Sequence, residues 1–264
     1  MEITKDTTAL VTGANGGIGQ AIARALHAHG AKLVLSARRP DAVRAIADEL
    51  GARVVLADLA ERASVSRLAE QAGPVDIVVA NAALPAAGST LDFEPDDIDA
   101  ILDVNLRAPM LLTRHYAPGM VERGRGSFVF ISSISGKVTS ASTALYSATK
   151  FGLRGFALGL RQDLADKHVG VSVIYPGFIR DAGMFADTGV KLPFGMGTRS
   201  PEQVGQAVID AVRDNPSEIS VAALDQRFGA FVAGFAPGIL APLEKTFGAK
   251  LASEMVAAQR GKRR

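Results

Sequence analysis

The stretch Thr8-Ala-Leu-Val-Thr-Gly-Ala-Asn-Gly-Gly-Ile-Gly-Gln20 decides the fold. Residues 8–12 form a short uncharged run that ends on a turn signal, as a strand covered on both faces does. Gly13, Gly16, Gly17 and Gly19 follow, with Asn15 and Ile18 among them, and residues 20–28 then show helical periodicity. Glycines allow a tight turn and a close backbone approach, so a pyrophosphate can sit at the amino end of the helix, where N–H groups and dipole favour an anion. A glycine pattern alone is a weak signal. Placed between a strand and a helix, it reads as a nucleotide site ahead of a merely structural turn.

Outward from this stretch the alternation continues: strand 32–36, helix 41–50, strand 53–56, helix 61–71, strand 75–80. A long helix is expected over 96–121, distorted by Pro109, then strand 126–133, helix 144–167 and strand 171–175. Ser200-Pro-Glu-Gln203 carries a helix-start signature, Ser as N-cap, Pro at N1 and Gln at N3,. That helix runs to about 213, and 218–222 suits a last strand. Apolar strands separated by helices specify an α/β fold, a Rossmann-type, doubly wound, mostly parallel seven-stranded sheet with helices on both faces,. No repeat or low-complexity linker interrupts the 264 residues, so one domain is expected,.

Composition narrows the chemistry. The apolar fraction, 48%, is ample for a core, and with no cysteine neither disulfides nor a thiolate site can form,. His27, His29, His115 and His168 show no metal-ligand spacing, so no metal is expected,. Net charge is +2 with signs interspersed, apart from the end Gly261-Lys-Arg-Arg264, so a nucleic-acid partner is not expected,. The charged start leaves no room for a signal peptide,. The longest uncharged run, 228–243, is too short to span a bilayer and contains Pro237 and Pro242,. A cytoplasmic protein is expected.

The segment Tyr146-Ser-Ala-Thr-Lys150 carries the reactive pattern. Four residues apart at the start of a helix, the two side chains share a face. An ammonium there would favour phenolate and lower a phenol pKa that is otherwise about 10. Such a phenol exchanges protons with a carbonyl or alcohol oxygen. Ser133, thirteen residues upstream, ends an apolar run and can complete a donor pair aimed at the same oxygen; Ser132 is its rival,.

Together these motifs resemble the short-chain dehydrogenase/reductase family in its standard branch of about 250 residues, over residues 7 to 222. Thr12-Gly13-x-x-x-Gly17-Ile18-Gly19 matches the cofactor loop, and Asp58-Leu59 the acid after the third strand, which implies an adenine contact. Asn81-Ala82-Ala83 resembles the family's Asn-Ala-Gly after the fourth strand, and Pro176-Gly177 follows the sixth. Asn105, Ser133, Tyr146 and Lys150 fall at the order and spacing of the catalytic four. The resemblance implies that Tyr146 gives the proton and that Lys150 lowers its pKa and holds the nicotinamide ribose. It further implies that Ser133 orients the carbonyl, Asn105 completes a water relay, and Ile179 offers a backbone contact to the cofactor. Asp181 stands where the family has a threonine, and an ionised carboxylate accepts but cannot donate,.

The cofactor follows from the end of the second strand. NAD-binding members hold the ribose 2′-hydroxyl with an acid there. Here Ala37 takes that place, and Arg38 can pair a 2′-phosphate, unless Arg38 and Arg39 are simply loop charges,. NADP(H) is expected in preference to NAD(H). Residues 178–200 read as a substrate lid, apolar through Met184, Phe185, Val190, Leu192, Pro193, Phe194 and Met196,. That lining suits an apolar carbonyl or alcohol, while Arg180 and Lys191 leave an acidic substrate open. The extension over about 223–264 holds Phe228, Phe231, Phe235, Leu240 and Leu243, with Lys245 and Lys250 beyond. It reads as core or interface packing ahead of a peripheral membrane contact by 228–250. The resemblance implies a homotetramer or homodimer built on the helices holding Asn105 and Tyr146. The expected activity is NADP-dependent interconversion of a carbonyl and an alcohol. A non-catalytic nucleotide sensor, or an epimerase or dehydratase that retains NADP, remain as alternatives on the same fold.

Overall fold

The structure, a computed structural model, describes residues 1–190, 192 and 196–235, with backbone alone for 233–235. The expectations at Lys191, Pro193, Phe194, the side chain of Phe235, Leu240, Leu243, Lys245, Lys250 and the basic end lie outside the described residues. Seven strands, β1 (Thr8–Thr12), β2 (Lys32–Ala37), β3 (Arg53–Leu56), β4 (Ile77–Ala80), β5 (Gly126–Ile131), β6 (Val169–Pro176) and β7 (Glu218–Val221), form one parallel sheet in the order β3-β2-β1-β4-β5-β6-β7. The strand period of two distributes their apolar side chains between two cores. Ala9, Val11, Val129 and Ile131 face one side, while Leu10, Phe128 and Phe130 face the other.

Helices α1 (Gly17–Ala28), α2 (Asp41–Leu50) and α8 (Pro201–Asp214) cover the first side. Helices α3 (Arg62–Ala72), α5 (Ala108–Arg123) and α6 (Ala144–Asp163) cover the second. The chain reverses direction across the sheet between β1 and β4, which opens a crevice at their carboxyl ends, the place where such sheets bind ligands,. Ser200 forms the expected capping box with Gln203 at the start of α8.

Several elements depart from the sequence reading. Helix α1 begins at Gly17, inside the glycine run. Strand β4 begins at Ile77, with Asp76 just before it exchanging bonds with Thr8, its N–H to Thr8 O at 2.8 Å and its carboxylate accepting Thr8 N–H at 2.9 Å. The helix expected over 96–121 is divided into α4 (Pro95–Leu102), a π turn (Asp103–Arg107) and α5. Pro109 has no N–H to return to the carbonyl four residues back, that of Asn105. The chain widens there, and Ala108 N–H reaches Asp103 O, five residues back,. Helix α6 stops at Asp163 and not at 167. After β6 a short helix, α7 (Gly183–Ala186), lies in the expected lid, and Ile179 bridges to Arg199. The extension begins as helix α9 (Leu224–Phe235), unforeseen because Gly229 and Gly234 blur its periodicity,. No helix among the described residues is long and apolar enough to cross a membrane.

Candidate active site

Thr12, at the end of β1, organises the crevice. Its hydroxyl accepts the N–H groups of Asn81 and Ala82, both at 3.1 Å, and donates to Val79 O at 3.4 Å. Asn81 Nδ2 in turn donates to Thr12 O at 3.0 Å and Gly13 O at 3.1 Å. The expected cofactor residue Asn81 therefore shapes the glycine loop with its side-chain amide. Thr12 was legible only as part of the motif, since a lone threonine at a strand end carries no signal of its own.

The glycines are demanded by contact. Gly13 has φ +64°, and a Cβ there would lie 2.7 Å from Ala82 Cα. A Cβ on Gly19 would meet Gly13 O at 2.3 Å, and one on Gly17 would meet Ala182 Cβ at 2.3 Å. The N-cap of α1, Gly16, offers no side chain to the first N–H groups, and the first turn holds no acid. A bare helix terminus behind a glycine-rich loop fits the pyrophosphate of a dinucleotide. Ile18 and Asn81 lie on the wall of the adjoining cavity, with Asn15 in the loop between them.

Around this loop stand the other expected cofactor residues. Ala37 is buried at the end of β2, and Arg38 and Arg39 are exposed, in no ion pair among the described residues. Asp58 Oδ1 accepts from Ala60 N–H at 3.0 Å and Asp58 N–H donates to Ser64 Oγ at 3.0 Å, which holds the turn after β3 with Leu59 buried beneath it. Pro176, Gly177 and Ile179 line the opposite wall, and Ala82 lies beneath the glycine loop.

Ser133, Tyr146 and Lys150 meet on the same cavity, of about 410 Å³. Ser133 caps a turn of 3-10 helix (Ile134–Gly136), its hydroxyl accepting from Ser135 N–H at 3.1 Å. Tyr146 occupies the first turn of α6, and Lys150, one turn on, is 2% exposed. Its Nζ donates to Ile131 O at 3.0 Å and stands 5.6 Å from the centroid of the Tyr146 ring. Burial pushes the phenol up to about 12, with the Ser133 hydroxyl pulling the other way, and pushes the lysine down to about 8. Loss of water is thus the largest influence on both groups, and it favours the neutral form of each,. Ser132 also lines the cavity, with its hydroxyl donating to Lys150 O at 3.2 Å. Behind the trio, Glu218 gathers Lys137 at 2.9 Å and Arg154 at 2.7 Å, tying the turn after Ser133 to α6 and β7.

Asn105, 1% exposed, sits in the π turn. Its Oδ1 accepts Leu84 N–H at 2.7 Å, and its Nδ2 donates to Leu84 O at 3.0 Å and Thr149 Oγ1 at 3.3 Å. Thr149 Oγ1 donates to Tyr146 O at 2.7 Å. The side chain of Asn105 is therefore occupied in fastening α6 to the segment after β4, behind the wall that Tyr146 and Lys150 form. Asp181 turns outward, with φ +65° and its side chain 75% exposed, pairing with Arg180 at 3.3 Å. Ala182 faces the glycine loop in its place. Among the described residues Lys150 is the one charged residue on the cavity wall; the rest is apolar, as with Ile134, Val138, Phe178, Met184, Phe185 and Met196, or neutral and polar. Gln226, Gly229 and Ala230 of α9 close the far side, and none of them carried a recognisable signal in the sequence.

Comparison with known proteins places the chain among its relatives. The family model described as short chain dehydrogenase matches residues 7–191. A ketoacyl reductase, HetN, of Nostoc sp. (strain PCC 7120) is 34% identical over 223 residues, which cover 81% of this chain and 78% of that relative. A solved short chain dehydrogenase/reductase family protein is 32% identical, covering 84% of this chain and 98% of its own, with a TM-score of 0.77. A metagenomic short-chain oxidoreductase solved in complex with NADP is 30% identical with the same coverage and a TM-score of 0.69.

Proposed function

The chain belongs to the short-chain dehydrogenase family and is an oxidoreductase of CH–OH and carbonyl groups that uses a nicotinamide cofactor; from that premise we propose that it is an NADP-dependent reductase of uncharged, largely apolar ketones or aldehydes. The observation that carries this reading is the meeting of Ser133, Tyr146 and Lys150 on a cavity whose remaining described wall bears no charge. When bound, the nicotinamide supplies the two-electron reducing equivalent. The chain's residues supply orientation and the proton.

Ser133 Oγ–H and Tyr146 Oη–H converge as donors on the substrate oxygen. A phenol pushed up to about 12 is fully protonated at neutral pH, the form needed to give a proton,. As Oη gives it up, the charge on Lys150, present below about pH 8, offsets the developing phenolate,. Asn105 completes the relay that returns a proton. Its side chain is held by Leu84 and Thr149, so the main-chain carbonyl that Pro109 cannot satisfy is the group it offers,.

NADP(H) preference is supported by Ala37 in place of an acid, by an exposed Arg38 with no ion pair among the described residues, and by the relative solved with NADP. The ketoacyl reductase among the relatives supports a carbonyl carried on an apolar chain. A homotetramer or homodimer on α5 and α6 belongs to the same proposal, with Phe151 on α6 left 39% exposed.

The test is a panel of uncharged apolar ketones and aldehydes followed at the cofactor absorbance. Turnover is expected with kcat/KM for NADPH at least about tenfold above NADH, the worth of one charge-assisted contact. A clear NADH preference, or reduction confined to carboxylated substrates, contradicts the assignment.

A further inference from the structure

Helix α9 lies beyond the residues that the family model matches, yet it grips the segment that closes the site. The flap, described at residues 178–190, 192 and 196–197, leaves the sheet just after Gly177, and its described end stands just before Ser200. At its neck the two ends are paired by backbone alone: Arg199 N–H donates to Phe178 O and Arg180 N–H to Arg199 O, each at 2.9 Å. Gln226 adds a second fastening across the same neck. Its Oε1 accepts Phe178 N–H at 3.1 Å and its Nε2 donates to Gly197 O at 2.6 Å. One amide thus holds the outgoing and the returning strand of the flap together.

The glycines at both ends fit this role. A Cβ on Gly177 would lie 1.9 Å from Gln226 Oε1, so the residue after Pro176 must lack a side chain to admit the amide. A Cβ on Gly197 would lie 2.6 Å from Ala223 Cβ, at the start of α9. Both flap ends are therefore trimmed to receive this helix. Between them, Ala182 packs on Gly17 of the glycine loop, and Met184, Phe185 and Met196 line the reactive cavity.

We propose that Gln226 is a positioning residue that clamps Phe178 to Gly197, at the two described ends of the flap, and thereby sets how firmly substrate and cofactor are held. The inference rests on the reading of the cavity as the reaction site, and it adds a control point on α9. Gln226 does not reach the reacting atoms through the hydrogen bonds it makes, so its loss acts on holding and not on proton transfer. Substitution by leucine leaves Phe178 N–H and Gly197 O without their partner. Substitution by glutamate keeps the acceptor for Phe178 N–H but sets an anion against Gly197 O, until protonation restores a donor.

The experiment uses the full chain with Gln226→Leu and Gln226→Glu, each checked for wild-type far-UV circular dichroism. For Gln226→Leu, chymotryptic cleavage after Phe185 is expected to speed up about tenfold, as is KM for ketone and NADPH to rise, with kcat within about twofold. For Gln226→Glu, KM relative to wild type is expected to be raised at about pH 7 and to recover only below about pH 4.3, where the carboxyl regains its proton. Unchanged cleavage and KM, a lowered Tm without those changes, or a glutamate variant that does not recover on acidification each overturn the clamp. Cleavage requires no turnover. If no ketone is reduced while cleavage still responds, the clamp stands and the reductase reading falls.

Discussion

Lys150 holds an amine 2% exposed, bonded to the Ile131 carbonyl and beside a phenol, with its pKa pushed down by burial to about 8 from the ordinary lysine value of 10.5. Between those two values the folded protein binds fewer protons than the unfolded chain, so stability rises with pH across that window. Tyr146 acts oppositely and later: its raised pKa keeps the proton on the folded form from about 10 to about 12, where stability falls,. Urea unfolding at about pH 8 and about pH 10 is expected to show a gain in wild type that Lys150→Met lacks. Equal pH dependence in the two proteins would show that the lysine is not held against its charge. At the cofactor end, Arg38→Ala is expected to raise KM for NADPH about tenfold or more while leaving NADH nearly unchanged. An equal effect on both cofactors in steady-state kinetics would make Arg38 a loop charge.

At the scale of elements, the glycine loop offers a contrast within four residues. A Cβ on Gly16 has Gly13 O at 3.6 Å as its nearest neighbour, whereas on Gly19 it strikes the same oxygen at 2.3 Å. Gly16→Ala is expected to change stability by less than about 1 kcal/mol, and Gly19→Ala to cost about 2 kcal/mol together with NADPH binding, read by denaturant melts and cofactor fluorescence. Comparable losses in the two would remove the close approach as the reason for the glycine. The alternation of strands and helices was legible because seven apolar runs are each closed by a turn signal. The split of one expected helix into α4, the π turn and α5 was legible only as a distortion at Pro109. Which register the chain adopts depends on the bonds Asn105 makes to Leu84 and Thr149, residues distant in sequence. Helix α9 was illegible because its glycines erase the pattern, while the contacts that justify them are made by the flap.

In the whole molecule the site lies where the two helical layers and the reversal of strand order meet, so packing remote from it still bears on it. Gly205 in α8 lets Ala21 O of α1 approach to 2.8 Å of where its Cβ would be. Gly205→Val is expected to force these helices apart, lowering Tm by about 4 °C or more and weakening NADPH binding, because α1 carries the glycine loop. Calorimetry showing an unchanged Tm would contradict that packing. Ser133, Tyr146 and Lys150 were legible as a set through their resemblance to the family's linked motifs, since the Tyr146–Lys150 spacing alone is a weak signal,. What spacing could not reveal is the balance of burial against charge, which depends on every atom that keeps water from the phenol. The decisive measurement is single-turnover reduction of a responsive ketone by NADPH-loaded Tyr146→Phe, alongside direct titration of NADPH binding. Turnover lost by about a thousandfold or more with cofactor affinity unchanged is the predicted result; retention of most of the wild-type rate would contradict proton donation from Tyr146.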